Sequence, residues 1–361
     1  MKKICLMFNH LQYQDGVSRS AIAIANNLTR MQLAEVTLMP LFINDKSSHS
    51  LVDCGVKIKP VFGFYFKGFA SLIHKLPMCL FSRLVYGQDK YDIEVAIQYG
   101  LSLRCVAAHG SSAAKYAWVH TYDEGLRFKS EYETIGTICC VSKCNAERLH
   151  KELPSVKVDY NYNPIDDTEI RKLGNESIDI KRPDGLLFVT VGRHSPEKGF
   201  GRLINIMKQL KEQGYKFHLW IIGDGPLSVE LNHLRTDSGV EEYVQFLGHQ
   251  DNPHKFTSKA DLFICSSFRE GYSTACTEAI MLGVPVITTN VSGAEELISE
   301  AECGAITELD DGSLYNAIKT VCDTPSIIEQ WKDKLLETRT RFSAEVRIQR
   351  LVKLFNLERN R

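Results

Sequence analysis

The chain has 361 residues, 44% of them hydrophobic and 24% charged, with a net charge of −1. That length suits two domains, each with its own core, and a charge near zero excludes a general nucleic-acid binder, which works by neutralising phosphates.

Both halves alternate short apolar runs with amphipathic stretches, the pattern of βαβ units and parallel sheets. Residues 3–8 read as the first strand, Asp15-Gly16-Val17-Ser18-Arg19 as a turn, and residues 20–29 as a helix with apolar side chains at 21, 22, 24, 25 and 28. Further strands are expected at 36–41, 56–61, 93–97, 117–120 and 137–141, with Ser142 as the N-cap of a helix running to Leu149. The pattern breaks around Asn161-Tyr162-Asn163-Pro164-Ile165-Asp166-Asp167, and the polar stretch 171–184 reads as the linker. A second series follows: strand 186–191, helix 200–213, strand 217–222, helix 226–237, strand 244–247, a short helix near 253–260, strand 262–265, helix 274–282, strand 286–289 and helix 294–299. Residues 314–324 and 327–356 read as helical throughout. The fold class is therefore α/β, with two doubly wound Rossmann-like domains. Residues 1–165 form the first and 166–344 the second, with a ligand expected where the strands' carboxyl ends face each other.

Eleven cysteines include no Cys-x-x-Cys pair, and most sit among apolar neighbours. Small buried thiols in a reducing, cytoplasmic compartment explain them better than disulfides or a metal site. The N-terminus has too short an apolar stretch for a signal peptide, and no apolar run of 18 residues occurs.

Four loops at strand ends of the second half carry polar chemistry. Arg269-Glu270-Gly271-Tyr272-Ser273-Thr274-Ala275-Cys276-Thr277-Glu278 follows a strand and opens a helix. A helix start points unpaired N–H groups at an anion, and two flanking carboxylates can accept from hydroxyls on either side of it. A nucleotide-sugar has that form. In Gly192-Arg193-His194-Ser195-Pro196-Glu197-Lys198-Gly199, Arg193 and Lys198 can clamp a diphosphate; alone, two surface cations near a turn is the favoured reading. Gly223-Asp224-Gly225-Pro226 permits close backbone approach. Phe246-Leu247-Gly248-His249 can read a flat base through its backbone, Leu247 included, with His249 a bystander.

Together these loops resemble the donor-binding half of the GT4 family of retaining glycosyltransferases, which have the GT-B fold. The family's Glu-x7-Glu motif is matched by Glu270 and Glu278, and its basic Gly-Arg…Lys-Gly loop by Arg193 and Lys198. Glu278-Ala279-Ile280-Met281-Leu282-Gly283-Val284-Pro285 and Ser292-Gly293-Ala294-Glu295-Glu296-Leu297 also follow the family pattern, and the similarity is specific over about 186–306. The resemblance implies a nucleotide-sugar donor, most simply a UDP-sugar, with a glycan or polyprenyl-diphosphate-linked acceptor. The product would be a bacterial surface glycan such as capsule, O-antigen or exopolysaccharide.

Residue by residue, Glu278 would accept from ribose hydroxyls, Glu270 would hold the sugar, and N–H groups of residues 272–275 (Tyr272, Ser273 and Thr274 among them, beside Gly271) would meet the β-phosphate. Arg193 and Lys198 would neutralise the departing diphosphate in place of a metal; no Asp-x-Asp motif occurs, and no metal or other cofactor is expected. Gly16 stands where the family has a Gly-Gly turn, of which only the second glycine is kept, and His120 resembles the family's histidine near the reacting sugar. Asp123 and Glu124 are acceptor-side candidates. The family's last helix crosses back to the first domain, expected here for about 345–361. Two alternatives stay open: a catalytically silent sugar-nucleotide-binding partner subunit, and a GT-B epimerase.

Residues 1–165 carry 19 Lys+Arg against 14 Asp+Glu, so +5, and the remainder 24 against 30, so −6. A basic first half is drawn to anionic membranes or acceptors, though uneven solvated faces explain it as well. The aromatic stretch Val61-Phe62-Gly63-Phe64-Tyr65-Phe66-Lys67-Gly68-Phe69, continuing through Lys75, Met78, Phe81 and Arg83, suits a membrane interface or a lipid-linked acceptor. For the aromatic run alone, core packing is the favoured reading.

Overall fold

The apolar runs become parallel strands because both their faces are covered. The structure, a computed structural model, describes residues 1–12, 16–43, 46–66, 68–73, 75–121 and 126–357. Two compact units divide the chain: Met1–Ile165 with Ala344–Arg361, and Asp166–Ser343.

The first unit runs β1 (Lys2–Leu11), α1 (Gly16–Arg30), β2 (Ala34–Ile43), β3 (Lys57–Ile58), α2 (Phe69–Ile73), α3 (Met78–Tyr86), β4 (Ile93–Ala96), α4 (Leu101–Ala108), β5 (Ala114–Val119), α5 (Lys129–Ile135), β6 (Thr137–Cys140), α6 (Lys143–Glu152) and β7 (Lys157–Tyr160). Its sheet has the order β3-β2-β1-β4-β5-β6-β7, all neighbours parallel. β1 and β2 are buried along most of their length, which is why they read as continuous apolar runs and not as alternating ones. Ser142 caps α6, its hydroxyl accepting from the Asn145 N–H.

The second unit runs α7 (Asp167–Gly174), β8 (Leu186–Val191), α8 (Phe200–Glu212), β9 (Phe217–Ile222), α9 (Ser228–Asp237), β10 (Val244–Gly248), α10 (His254–Thr257), β11 (Leu262–Cys265), α11 (Thr274–Met281), β12 (Val286–Thr289), α12 (Ala294–Ile298), β13 (Gly304–Thr307), α13 (Asp311–Asp323) and α14 (Ser326–Thr338). The six-stranded order β10-β9-β8-β11-β12-β13 repeats that of the first unit without its seventh strand. In α8, Leu203, Ile206, Met207 and Leu210 recur at helical spacing and are fully covered, each contributing roughly 1.5–3 kcal/mol by leaving water. In both sheets the strand order reverses at the centre, between β1 and β4 and between β8 and β11. A crevice at the carboxyl ends of such strands is where doubly wound sheets bind ligands.

α15 (Ala344–Leu354) leaves the second unit and packs on the first. The buried Arg347 donates to the Asn163 carbonyl at 2.7 Å. Arg350 lies over the Tyr160 ring, 3.6 Å from its centroid, and pairs with Asp159 at 2.7 Å. The Tyr116 hydroxyl donates to the Leu354 carbonyl at 3.0 Å.

Local readings differ from the structure in several places, the first being the strand expected at 56–61, which is only Lys57–Ile58. α1 starts at Gly16, so the expected turn is the helix's polar first turn. The expected linker begins as α7, docked so closely that a Cβ on Gly174 would lie 2.3 Å from Leu282. The continuous tail helix is broken by a 3-10 turn at Arg339–Phe342 and extended Ser343, where the chain changes unit. β7 and β13 have too few apolar residues (Lys-Val-Asp-Tyr, Gly-Ala-Ile-Thr) to stand out in sequence. Phe62 and Phe69 pack on the core, as core packing requires, whereas Phe64, Tyr65 and Phe66 are exposed. Among the described residues no helix is long and apolar enough to cross a membrane.

Candidate functional site

Three glycines close the carboxyl ends of β8, β9 and β10. The Gly192 N–H donates to the Ile222 carbonyl at 2.9 Å, and the Gly223 N–H to the Gly248 carbonyl at 2.8 Å. Gly223 has φ +133°, and a Cβ there would lie 1.9 Å from the Gly192 carbonyl oxygen. Only glycine lets these two backbones lie so close. Two residues on, a Cβ at Gly225 would lie 2.6 Å from the His194 carbonyl oxygen. His194 is buried and holds the turn, with its backbone N–H on the Asp224 carbonyl and its Nδ1 2.8 Å from the Ser228 hydroxyl. Burial pushes its imidazole pKa down, against the pull of Asp224.

Lys198 and Glu270 meet across the switch point. Lys198 lies at the end of the 3-10 turn after β8, and its stem runs along Gly192, where a Cβ would lie 3.5 Å from its Cδ and Cε. Its Nζ donates to Glu270 Oε1 at 2.7 Å. The same carboxylate oxygen accepts from the Ser267 hydroxyl at 2.7 Å, and the Ser266 hydroxyl donates to the Lys198 carbonyl at 2.9 Å. The Lys198 and Glu270 side chains are only 25% and 12% exposed. Burial alone would lower the lysine pKa; Glu270 overrides it, and the pKa is raised. Arg193 is exposed and forms no ion pair among the described residues.

The helix that follows β11 is capped by its own sequence. The Ser273 hydroxyl accepts from the Cys276 N–H at 3.3 Å and its carbonyl from the Thr277 hydroxyl at 3.0 Å. That hydroxyl is therefore occupied by the cap. Tyr272 is buried with its ring on Gly293, where a Cβ would lie 2.6 Å from Tyr272 Cδ2. Gly271 is buried and Thr274 exposed at the first helical position. Glu278 stands one turn in, its Oε2 3.9 Å from Nδ1 of the buried His254 on α10. Leu247 is the extra residue of a register shift between β10 and β9, with its carbonyl accepting from the Gln250 amide at 2.6 Å. His254 and His194 were not legible as site residues, because a lone histidine carries no spacing signal.

The first unit places its two site residues at the carboxyl side of its own sheet. His120 directly follows β5, and its Nε2 donates to the Ile97 carbonyl at 3.1 Å. Gly16 opens α1, and a Cβ there would meet nothing within 4 Å. Asp15, Lys67, Asp123 and Glu124 lie outside the described residues. All eleven cysteines are free thiols.

Residues 176–346 match the family described as "Glycosyl transferases group 1". A lipopolysaccharide core biosynthesis glycosyltransferase of Rhizobium meliloti is 30% identical over 181 residues, 49% of this chain and 52% of the relative. The N-acetylgalactosamine-N,N'-diacetylbacillosaminyl-diphospho-undecaprenol 4-alpha-N-acetylgalactosaminyltransferase of Campylobacter jejuni is 31% identical over 213 residues, 58% of this chain and 56% of the relative. The chain thus spans about half the length of these curated relatives. A solved Anabaena protein, HepE in complex with UDP, superposes with a TM-score of 0.74 at 18% identity, over 98% of this chain and 99% of that one. The shared strand order and this likeness establish the architecture. Residues 176–346 are thus similar to the glycosyl transferases group 1 family over just under half of the chain, and the chain has the GT-B fold.

Proposed function

We propose that the chain is a retaining glycosyltransferase that moves a hexose or N-acetylhexosamine from a nucleotide-sugar, most simply a UDP-sugar, to a glycan or polyprenyl-diphosphate-linked acceptor in bacterial surface-polysaccharide synthesis. The observation that carries this reading is the Lys198–Glu270 pair, 2.7 Å apart at the switch point of the second sheet and one turn before a capped helix start. A diphosphate needs the cation and the helix's N–H groups, and a sugar needs a carboxylate acceptor. Support also comes from relatives whose names place them in lipopolysaccharide and lipid-linked glycan synthesis, and from HepE, whose complex contains UDP.

In this reading Glu278, steadied by His254, accepts from the ribose, and the bulged backbone at Leu247 faces the base. Arg193 and Lys198 stabilise the charge that develops on the diphosphate as the anomeric C–O bond breaks, without a metal. The acceptor hydroxyl attacks from the same face, forms the new C–O bond, and gives its proton to an oxygen of the departing diphosphate. Glu270 holds sugar hydroxyls and forms no covalent bond. His120 belongs to the sugar and acceptor side of the reaction, which takes place in the cytoplasm.

The test is thermal unfolding with UDP, GDP, ADP and their sugars, followed by donor hydrolysis in EDTA. Binding to the folded state raises the midpoint by mass action. A shift with UDP and UDP-sugars, and UDP release undiminished by EDTA, is expected. No shift with any nucleoside diphosphate would overturn the reading.

A further inference from the structure

Half of the exposed large hydrophobic side chains sit in one short segment. Of fourteen among the described residues, seven fall between Phe64 and Leu84. Singly scattered apolar residues need no explanation, but a contiguous cluster does. Leu72, Leu76, Leu80 and Leu84 recur every fourth residue, each at least half exposed, and Leu84 reaches 82%. On α3, Phe81 and Val85 point into the core while Leu80 and Leu84 point out. The helix is apolar on two sides, and only one side is used by the fold.

The patch is held rigidly. Phe62 stacks on Phe81 at 6.3 Å between ring centroids and meets Phe69 at 4.9 Å edge-on, and Phe42 at the end of β2 lies 5.6 Å from Phe69. Exposed Phe64 and Phe66 stack on Phe69 at 5.5 and 4.8 Å. The aromatic cluster therefore packs the carboxyl end of β2 against α2 and α3.

Charge identifies the occupant. From Cys54 to Gln88 the chain holds Lys57, Lys59, Lys67, Lys75 and Arg83, and no Asp or Glu at all; Lys57 and Lys59 pair with Glu35 and Asp89 from outside the segment. Lys75 and Arg83, exposed beside Leu76 and Leu84, form no ion pair among the described residues. A second copy of the same face would bring like charges together, whereas an anionic bilayer accepts leucines into its interface and cations at its headgroups.

We propose that the α2–α3 face docks on an anionic membrane surface, with the leucine stripe inserted at the headgroup boundary and Lys75 and Arg83 on lipid phosphates. Docking needs neither donor nor acceptor, so its failure leaves the glycosyl-transfer reading standing.

The test is co-sedimentation of the full chain with vesicles of equal parts phosphatidylglycerol and phosphatidylcholine. Binding is expected at low salt, with little to phosphatidylcholine alone. The Leu80→Ser/Leu84→Ser double variant should bind at least about tenfold more weakly, with an unchanged unfolding midpoint because both residues are exposed. Leu336→Ser, which removes an equally exposed leucine from the second unit (63%), should bind as the unaltered chain does. Should the double variant fold poorly, Lys75→Ser/Arg83→Ser gives the same test by losing the preference for anionic lipid. Absence of binding at low salt would overturn the proposal. So would equal binding by the double variant, or a chain that self-associates through this face and separates in that variant.

Discussion

The two sheets share one strand order, yet their carboxyl edges are built from different material. In the second unit the edge is polar and pre-arranged: three glycine turns in backbone contact, a half-buried lysine–carboxylate pair, a self-capped helix and a second carboxylate beside a buried histidine. In the first unit the corresponding edge is aromatic, with His10 stacked on Phe42 at 5.1 Å and edge-on to Tyr65 at 4.7 Å, and with Gly16 facing open space. The same topology thus supports one edge suited to a charged, hydroxyl-rich ligand and one suited to a surface with apolar and stacking character. Geometry comes from the fold; the chemistry comes from the loops.

The largest expected effect tests whether the polar edge carries the chemistry. Lys198→Ala should lower donor turnover by about a hundred- to a thousandfold, the usual cost of removing one preorganised charge from a developing anion. His120→Ala, at the other edge, should cost less, since its ring already donates to the Ile97 carbonyl. Equal losses would erase the asymmetry. Glu270→Gln should slow the reaction while leaving the anomeric configuration of the product unchanged; an inverted product would remove Glu270 from the role of sugar holder.

A smaller effect, on stability alone, compares glycine with glycine. Gly223→Ala places a methyl into the Gly192 carbonyl, 1.9 Å away, at φ +133°, and should destabilise by about 3 kcal/mol or more. Gly16→Ala has open space and a helical position, so a change within about 0.5 kcal/mol is expected. Denaturant unfolding measures both. A tolerated Gly223→Ala would mean that the strand-end turns are not locked.

The same contrast explains what could be read in advance. Glu270, Glu278, Arg193 and Lys198 stand in motifs whose spacing is fixed by the strand–turn–helix geometry they serve, so sequence exposes them. The strands at 186–191 and 217–222 were legible as apolar runs, each broken by one polar residue, for the same reason that they are buried on both faces. Less was legible where packing decides. α7 is polar in sequence and is fixed by Ser258 and Asn252 donating to its last carbonyls at 2.6 and 3.0 Å. His254 gains its place only through the approach of α10 to Glu278. The outward leucines of α3 carried no signal in the sequence, because leucine content does not say which side a helix buries.

The smallest effect concerns two lysine–carboxylate pairs, one per unit. Lys198–Glu270 is largely covered, whereas Lys59–Asp89 in the first unit leaves 46% and 44% of its side chains exposed. Exposed pairs contribute about 0–1 kcal/mol, so Lys59→Met should barely change stability at neutral pH. Lys198→Met leaves Glu270 half-buried without its cation and should cost about 1–3 kcal/mol. The pKa of Lys198 is raised in the folded state, so its contribution is fully present below the ordinary lysine value of 10.5 and is lost as pH rises through the raised one. The stability difference between the unaltered chain and Lys198→Met should therefore hold level from neutral pH to about 10 and narrow above it. A difference that widens in alkali would show that the carboxylate does not hold the lysine charged, and the polar edge would lose its central contact.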